Sequence, residues 1–169
     1  MLSPAIANPA ATAPVAAAAF EPEFIQLVRD VIEQHVPFNR VLGLEATEIT
    51  PAGVAGRIAM RPELVGSVAH QRLHGGVISA ALDSMAGLAI MAAIAARHLD
   101  EPPARRLQRF GRLGTIDLRV DYLRQGIGTE FRLTARVLRL GSRVASTQME
   151  CLGAEGELIA TGAAAYIVS

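Results

Sequence analysis

A run of apolar residues from Val77 to Ala96 (VISAALDSMAGLAIMAAIAA) contains a single charged side chain, Asp83. A helix that is apolar on every side has to be buried all round, and an ionised carboxylate inside it is costly unless it is paired, hydrogen-bonded or used in chemistry. Asp83 is therefore either a hydrogen-bonded structural group or the functional carboxylate of the protein.

The apolar run begins directly after His74-Gly75-Gly76. Glycines at a helix entrance let the backbone come close to a ligand, and the free N–H groups of a first helical turn favour a developing negative charge. Length alone would also allow a membrane span. We expect a buried helix instead, because Asp83 would cost about 3 kcal/mol near the centre of a bilayer and a soluble protein can wrap such a helix in a curved sheet.

The composition excludes several classes of function. The chain has 169 residues, enough for one domain with a sizeable core, and its 16 basic and 16 acidic residues create no net field that would attract nucleic acid or an anionic membrane. All of these basic residues are Arg, which excludes the lysine chemistry of pyridoxal-phosphate enzymes and P-loop NTPases. Cys151 is the one cysteine, so no intramolecular disulfide can form, and the His residues are scattered without a zinc motif. We expect no cofactor, no metal and a cytoplasmic location.

The chain divides into a tail and a body. Residues 1–21 form an Ala- and Pro-rich tail that we predict to be disordered, and residues 22–169 are predicted to form a single domain. Helical spacing predicts a helix from Pro22 to about His35, ended by Pro37, before the apolar helix. Six further segments have strand character: 44–50, 54–61, 115–123, 129–140, 142–152 and 157–168. This order predicts an α+β fold with one antiparallel sheet around one central helix.

Several stretches of sequence resemble one known family. HGGVISAALD, followed by GTIDLRVDYLR and later by GELIATGAAAYIV, is similar to the PaaI-type hotdog acyl-CoA thioesterases. Within them the YigI-like medium- and long-chain acyl-CoA thioesterases are most similar, since they share the PFNRVLG entry and the LVG stretch. The resemblance covers roughly residues 22–168, and it implies the hotdog fold, an antiparallel sheet wrapped around a long central helix, and hydrolysis of acyl-CoA to free acid and CoA.

The resemblance implies roles for five residues. Asp83 matches the catalytic carboxylate, acting as general base toward water or as nucleophile on the thioester carbonyl, and the backbone N–H of Gly75 would polarise that carbonyl. Gly76 would lie beside the substrate, and His74 would orient the leaving group or the helix entrance. Thr115 falls where related enzymes have a hydroxyl that positions water. Strict alternation along residues 115–122 puts Thr115 on the outer face, however, with the apolar side chains on the core face.

One position departs from the family's pattern. Ser67 stands where many relatives have Asn, whose amide places substrate or water, and a hydroxyl has a shorter reach. His70 lies close by in the sequence and either compensates for this change or is a surface residue.

Helix geometry predicts that one chain cannot complete a site. Eight residues at about 1.5 Å each separate Gly75 from Asp83 by about 12 Å, whereas reacting groups must lie about 3 Å from the same carbonyl. Two antiparallel helices related by a two-fold axis would bring Gly75 of one subunit to Asp83 of the other. We therefore expect a homodimer, or a tetramer built as a dimer of dimers, with composite sites.

The phosphates of coenzyme A need cationic or backbone partners. Arg139 and Arg143 flank the turn that contains Ser142, where N–H groups and a hydroxyl can join a guanidinium around phosphate. Two alternatives to a thioesterase remain. A hotdog acyl-thioester dehydratase or hydratase fits less well because His74 lacks a His-Phe-Pro setting, and a non-catalytic acyl-CoA-binding protein would need an output module that the sequence does not show.

Overall fold

The computed structural model describes residues 19–169, which form four α-helices, a turn of π-helix, a short 3-10 helix at Pro62–Leu64 and eight strands. Helix α1 spans Pro22–Asp30 and continues as a turn of π-helix, Val31–His35. The other helices are α2 (Pro37–Leu42), α3 (Gly75–Ala95) and α4 (Pro103–Gln108). The strands are β1 (Leu44–Thr50), β2 (Gly53–Ala59), β3 (Val65–Ser67), β4 (Arg72–Leu73), β5 (Gly114–Tyr122), β6 (Glu130–Leu140), β7 (Val144–Leu152) and β8 (Leu158–Ile167).

Six of the strands form one antiparallel sheet in the order β1-β2-β6-β7-β8-β5, and β3 and β4 form a separate small hairpin. The predicted first hairpin and the four later strands are confirmed within one to two residues at their ends. Strands β1 and β5 lie at the two edges of the sheet. The edge position of β5 matters below because this strand carries a residue of the site.

Helix α3 is the core of the fold, as its apolar sequence predicts. Its residues contact β2, β5, β6, β7 and β8, and Leu82, Met85, Leu88 and Ile90 are completely buried. Each such side chain contributes about 1.5–3 kcal/mol relative to an exposed one. The helix is long and apolar enough to cross a membrane by length and composition, yet here the sheet packs on it, as expected for the core helix of a soluble protein.

Two short helices and a small hairpin were not predicted. Proline begins α2 at Pro37 and α4 at Pro103, because the first turn of a helix leaves its N–H groups unused and suits the fixed φ of proline. Pro37 therefore ends one helix and starts the next. Gly43 closes α2 with φ of 65°, a left-handed conformation that glycine adopts without strain.

The start of the described chain packs against the domain. Residues 1–18 of the predicted tail lie outside the described residues. Phe20 is buried with its ring 4.9 Å from that of Phe24, and Glu21 forms an ion pair with the buried Arg106 of α4. The guanidinium of Arg106 also lies 4.2 Å from the centroid of the Phe24 ring, an attractive cation–π arrangement. These contacts hold α1 and α4 together.

The alternation predicted for β5 is wrong at its start. Thr115 pairs with Tyr166 of β8 and Leu118 pairs with Ala164, so three steps along β5 match two along β8. The extra residue forms a β-bulge between Thr115 and Asp117, and such a bulge re-aims the side chains that precede it. Thr115 consequently shares the helix-facing side with Leu118, while Ile116, predicted to be in the core, is 59% exposed.

Candidate active site

Two hydroxyl groups meet the carboxylate of Asp83. Asp83 lies half-buried on α3, eight residues after Gly75. The Thr115 hydroxyl donates to its Oδ1 at 3.0 Å, and the Tyr166 hydroxyl lies 2.5 Å from the same oxygen. Among residues 19–169 no hydrogen bond reaches Oδ2. One oxygen of the carboxylate is thus held by the sheet, and the other is free for chemistry.

The register of the sheet brings these two hydroxyls together. Thr115 and Tyr166 are directly opposite each other on neighbouring antiparallel strands, so their side chains point to the same face. Tyr166 also lies on the face of β8 that carries the buried Ala164 and Gly162, against α3. The bulge in β5 is what places Thr115 on this face. The structure thus brings Thr115 into contact with Asp83, and the outer face predicted for Thr115 is wrong.

The entrance of α3 presents one free N–H group. His74 is the N-cap residue, and its ring Nδ1 accepts from the N–H of Gly76 at 2.9 Å. The N–H groups of Val77 and Ile78 bond to the backbone oxygen of His74. Within the described part of the chain the N–H of Gly75 alone among these four makes no hydrogen bond. The structure therefore gives His74 and Gly76 a capping role and leaves Gly75 as the available donor for a negatively charged oxygen.

Tyr122 supports this entrance and was not predicted as a site residue. Its hydroxyl donates to the backbone oxygen of Gly75 at 2.8 Å, and its ring borders a cleft of about 380 Å³ that Gly75 and Ile78 also line. The side chain was expected in the core, but it is 52% exposed. Arg72 and Arg124 line the same cleft as Gly75 and give it positive charge.

Ser67 does not meet Asp83 within the chain. It lies in β3, just before the helix entrance, and its hydroxyl is 3.2 Å from Nδ1 of His70. Gln71, next in sequence, has φ of 48° and donates to the backbone oxygen of Val68 at 2.8 Å, which closes the tight turn between β3 and β4. His70 is exposed, and it is the hydrogen-bond partner of the Ser67 hydroxyl.

The residues predicted to bind the phosphates of coenzyme A lie far from the helix entrance. Ser142 lines a cleft of about 460 Å³ beyond the end of α3, together with Arg97, Arg109 and Arg112. Arg139 lines a different, smaller cleft, and Arg143 is exposed beside the turn. Arg97 follows the end of α3, whereas Arg109 and Arg112 lie in the turn after α4, and only the folded chain brings Arg97 to the other two.

These three arginines differ in the partners of their guanidinium groups. Arg109 is paired with Glu101, which lowers its availability to a ligand. The Nη2 of Arg97 donates to the backbone oxygen of Leu140 at 2.8 Å. Across residues 19–169 Arg112 forms no ion pair and no side-chain hydrogen bond. Arg112 also lies three residues before Thr115, within about 10 Å of it along an extended chain, which links this cleft to the carboxylate.

The thiol of Cys151 is excluded as a nucleophile because it stays protonated. Cys151 is completely buried on β7, and burial raises the pKa of its thiol to about 12. A thiol in this state does not form the thiolate that nucleophilic catalysis requires. The described residues also contain no group of three or more His, Cys, Asp or Glu side chains that could hold a metal ion. Asp83 is thus the acidic group that the geometry favours for chemistry.

Comparison with known proteins identifies the class. The profile described as "Thioesterase superfamily" matches residues 70–160. The chain is 41% identical over 144 residues to the medium/long-chain acyl-CoA thioesterase YigI of Salmonella typhimurium, covering 85% of this chain and 93% of that protein. The identically named protein of Escherichia coli is 40% identical with the same coverage. A crystal structure of a Shewanella oneidensis protein related to the thioesterase superfamily is 42% identical, with a TM-score of 0.81 over 87% of this chain and 96% of that chain.

A sheet wrapped around a central helix, with a carboxylate on the helix and a free N–H at its start, defines a hotdog-fold thioester hydrolase. The chain belongs to the thioesterase superfamily. The predicted fold class, the resemblance to YigI-like thioesterases and the predicted enzyme class are therefore confirmed.

Proposed function

We propose that this protein hydrolyses medium- and long-chain acyl-CoA to free acid and CoA in the cytoplasm, through Asp83 and the backbone N–H of Gly75. The observation that carries the proposal is the state of the Asp83 carboxylate, with Oδ1 bound by two hydroxyls and Oδ2 free. The acyl-chain length follows the names of the relatives at 40–41% identity. A chain with one cysteine, buried and reduced, suits the cytoplasm.

Asp83 can act as general base or as nucleophile, and both routes place a negative charge on the carbonyl oxygen of the thioester. Oδ2 removes a proton from water as the water attacks the thioester carbonyl, or Oδ2 attacks the carbonyl itself. In both cases the carbonyl oxygen becomes negatively charged and needs a hydrogen-bond donor at about 3 Å. The Gly75 N–H, free and at the positive end of α3, is such a donor. In the general-base route the proton held on Oδ2 passes to the sulfur as the C–S bond breaks, so CoA leaves as the thiol and the free acid remains. In the nucleophilic route the C–S bond breaks to leave an acyl–Asp83 anhydride and a CoA thiolate that takes a proton from water, and water then hydrolyses the anhydride to the free acid. The hydroxyl of Thr115 keeps the carboxylate in place throughout.

The site that we propose is shared between two subunits. The carboxylate and the Gly75 N–H are about 12 Å apart on one helix, so one chain does not bring both to one carbonyl. The edge strand β5 carries Thr115 and exposes two large apolar side chains, Ile116 and Tyr122. Exposed edge strands with apolar side chains favour pairing with another chain. A homodimer, alone or within a tetramer, would cover this edge and complete two equivalent sites.

We further propose that the CoA phosphates bind at the cleft around Ser142. Arg139 and Arg143 flank the turn, and Arg97, Arg109 and Arg112 approach it from the opposite side. A planar guanidinium binds phosphate through paired hydrogen bonds. Arg112 is the best candidate of the five, because it lines this cleft, forms no ion pair and no side-chain hydrogen bond within the described chain, and is close in sequence to Thr115. At the other end of the site, Ser67 and Gly76 would contact the substrate near the thioester.

Replacing Asp83 with Asn tests the proposed function. Asn has the same shape and its Oδ1 still accepts from Thr115 and Tyr166, so the fold should persist while the base or nucleophile is lost. We expect hydrolysis of saturated acyl-CoA to fall by at least about 100-fold, the usual effect of losing a positioned acid or base. Released CoA thiol is measured with a thiol reagent, and the buried Cys151 should add little background.

The matched control is Asp30→Asn, the same chemical change on α1, where the amide oxygen can still accept from Gln26. This control should hydrolyse acyl-CoA like the wild type. Full activity of a folded Asp83→Asn protein would refute the catalytic role. Substrates of graded acyl length show the preference, and thiol release from saturated acyl-CoA separates hydrolysis from hydration, which releases no thiol.

A further inference from the structure

Tyr166 is a buried tyrosine whose hydroxyl has an unusual setting. The side chain is 4% exposed, on a strand whose neighbouring residues are mostly Ala and Gly. A buried phenol requires a hydrogen-bond partner, and here two oxygens of one residue are available. The hydroxyl lies 2.5 Å from Oδ1 of Asp83 and 2.6 Å from the backbone oxygen of Asp83. Tyr166 therefore contacts both the side chain and the backbone of the residue proposed to perform the chemistry.

The contact to Oδ1 is the shorter and more strongly charged one. A hydrogen bond from a neutral hydroxyl to a carboxylate is shorter and about twice as strong as one between neutral groups. Thr115 donates to the same oxygen from the neighbouring strand at 3.0 Å. Two donors on Oδ1 fix the torsion angles of the Asp83 side chain, because rotation would break both bonds. Oδ2 is then the oxygen directed away from the sheet.

The protonation state of Tyr166 suits a donor. Burial, and next its hydrogen bond to the Asp83 carboxylate, raise the pKa of the Tyr166 phenol. The phenol therefore keeps its proton at neutral pH. It serves as a permanent hydrogen-bond donor and does not transfer a proton during the reaction.

We propose that Tyr166 is a positioning residue for the thioesterase reaction, which holds Oδ1 of Asp83 so that Oδ2 faces the thioester or the attacking water. This inference rests on the proposed function of Asp83. Tyr166 is buried and its hydroxyl is bonded to Asp83, so in this proposal it acts on the reaction through the carboxylate. Small displacements of a reacting group lower the rate of catalysis strongly, so loss of the phenol should lower turnover and leave substrate binding unchanged.

The experiment combines Tyr166→Phe with Asp83→Asn. Phenylalanine keeps the ring in the core and removes only the hydroxyl. We expect kcat to fall about 10-fold with KM within about twofold of the wild type, the pattern of an interaction that matters only for the chemical step. In the Asp83→Asn background the same change should lower the residual rate by less than about twofold, because residues that act through one another are non-additive. Thr115→Val, which removes the other donor, should lower kcat in the same way.

Each outcome has a distinct meaning. If Asp83→Asn lowers hydrolysis and a folded Tyr166→Phe does not, the positioning role is wrong and the proposed function stands. If Asp83→Asn is fully active, the proposed function itself fails. If Tyr166→Phe lowers the rate equally in both backgrounds, or raises KM as much as it lowers kcat, the effect is structural damage and the positioning role is refuted. If Tyr166→Phe does not fold, Thr115→Val is measured alone and combined with Asp83→Asn in its place, and this decides whether donors to Oδ1 control turnover.

Discussion

A shared site can be tested with two inactive variants of this chain. Gly75→Pro removes the one N–H that the helix entrance leaves free, and it is compatible with the fold. Gly75 is the first residue of α3, where proline is favoured. His74 has φ of −67° and ψ of 135°, the extended conformation that the residue before a proline prefers. Loss of one oxyanion donor typically lowers kcat by about 100- to 1,000-fold, so Gly75→Pro and Asp83→Asn should each be nearly inactive as homodimers.

Co-expression of the two variants with different affinity tags yields a purified heterodimer for assay. One of its two sites then has an intact Asp83 from one chain and an intact Gly75 from the other. We expect about half of the wild-type activity, because a two-fold dimer has two equivalent sites and only one of them is intact in the heterodimer. This is about 50-fold above either homodimer on the losses expected above.

The control for the backbone donor is Gly75→Ala, which keeps the N–H. Its added methyl group would lie 3.4 Å from the ring of Tyr122, a distance of ordinary contact. It should lose far less activity than Gly75→Pro. A heterodimer no more active than the mean of the two homodimers would refute the shared site. It would mean that each chain builds a site by itself, although helix geometry, at about 1.5 Å per residue, separates Gly75 from Asp83 by about 12 Å.

Two further variants test the phosphate site and the packing of the core. Arg112→Ala should raise KM for acyl-CoA several-fold with kcat little changed, and it should have a much smaller effect on an acyl-pantetheine substrate. Arg143→Ala is the comparison on the turn. Equal losses on both substrates would indicate structural damage instead. Gly56→Ala should lower the unfolding free energy by about 1–3 kcal/mol through overpacking, because its methyl group would lie 2.8 Å from the Glu45 backbone oxygen and 2.9 Å from the Met85 sulfur. Thermal unfolding measures this loss against Gly111→Ala, where the nearest atom would be 3.7 Å away, and equal melting temperatures would contradict the close packing of β2 on α3.

The main elements could be predicted because each has a strong local pattern. The apolar run of α3 and the alternating strands separated by Gly-rich turns are such patterns, and the structure contains them within a few residues. Helices α2 and α4 have six residues each and begin at proline. They are too short for a helical period to stand out, and their stability comes from packing, which a local pattern does not contain.

The site was predicted in part. Asp83, Gly75 and Thr115 were found through motifs, and the structure brings Asp83 and Thr115 into contact. Tyr166 was missed, although a lone tyrosine in the Ala-rich strand GAAAYIV is a signal that a buried hydroxyl needs a partner. The cleft with Arg97, Arg109 and Arg112 could not be predicted, because Arg97 comes close to the other two only after α3, α4 and the sheet have packed.

The bulge in β5 connects the fold to the proposed chemistry. Without the extra residue, Thr115 would face outward and Oδ1 of Asp83 would keep only the Tyr166 hydroxyl as a donor from the sheet. A carboxylate inside an apolar helix is costly unless hydrogen bonds satisfy it, and the two hydroxyls meet this need at Oδ1 alone. The two oxygens of Asp83 correspond to the two alternatives that the sequence left open. Oδ1 is a hydrogen-bonded structural group of the core, and Oδ2 remains available for the reaction that we propose.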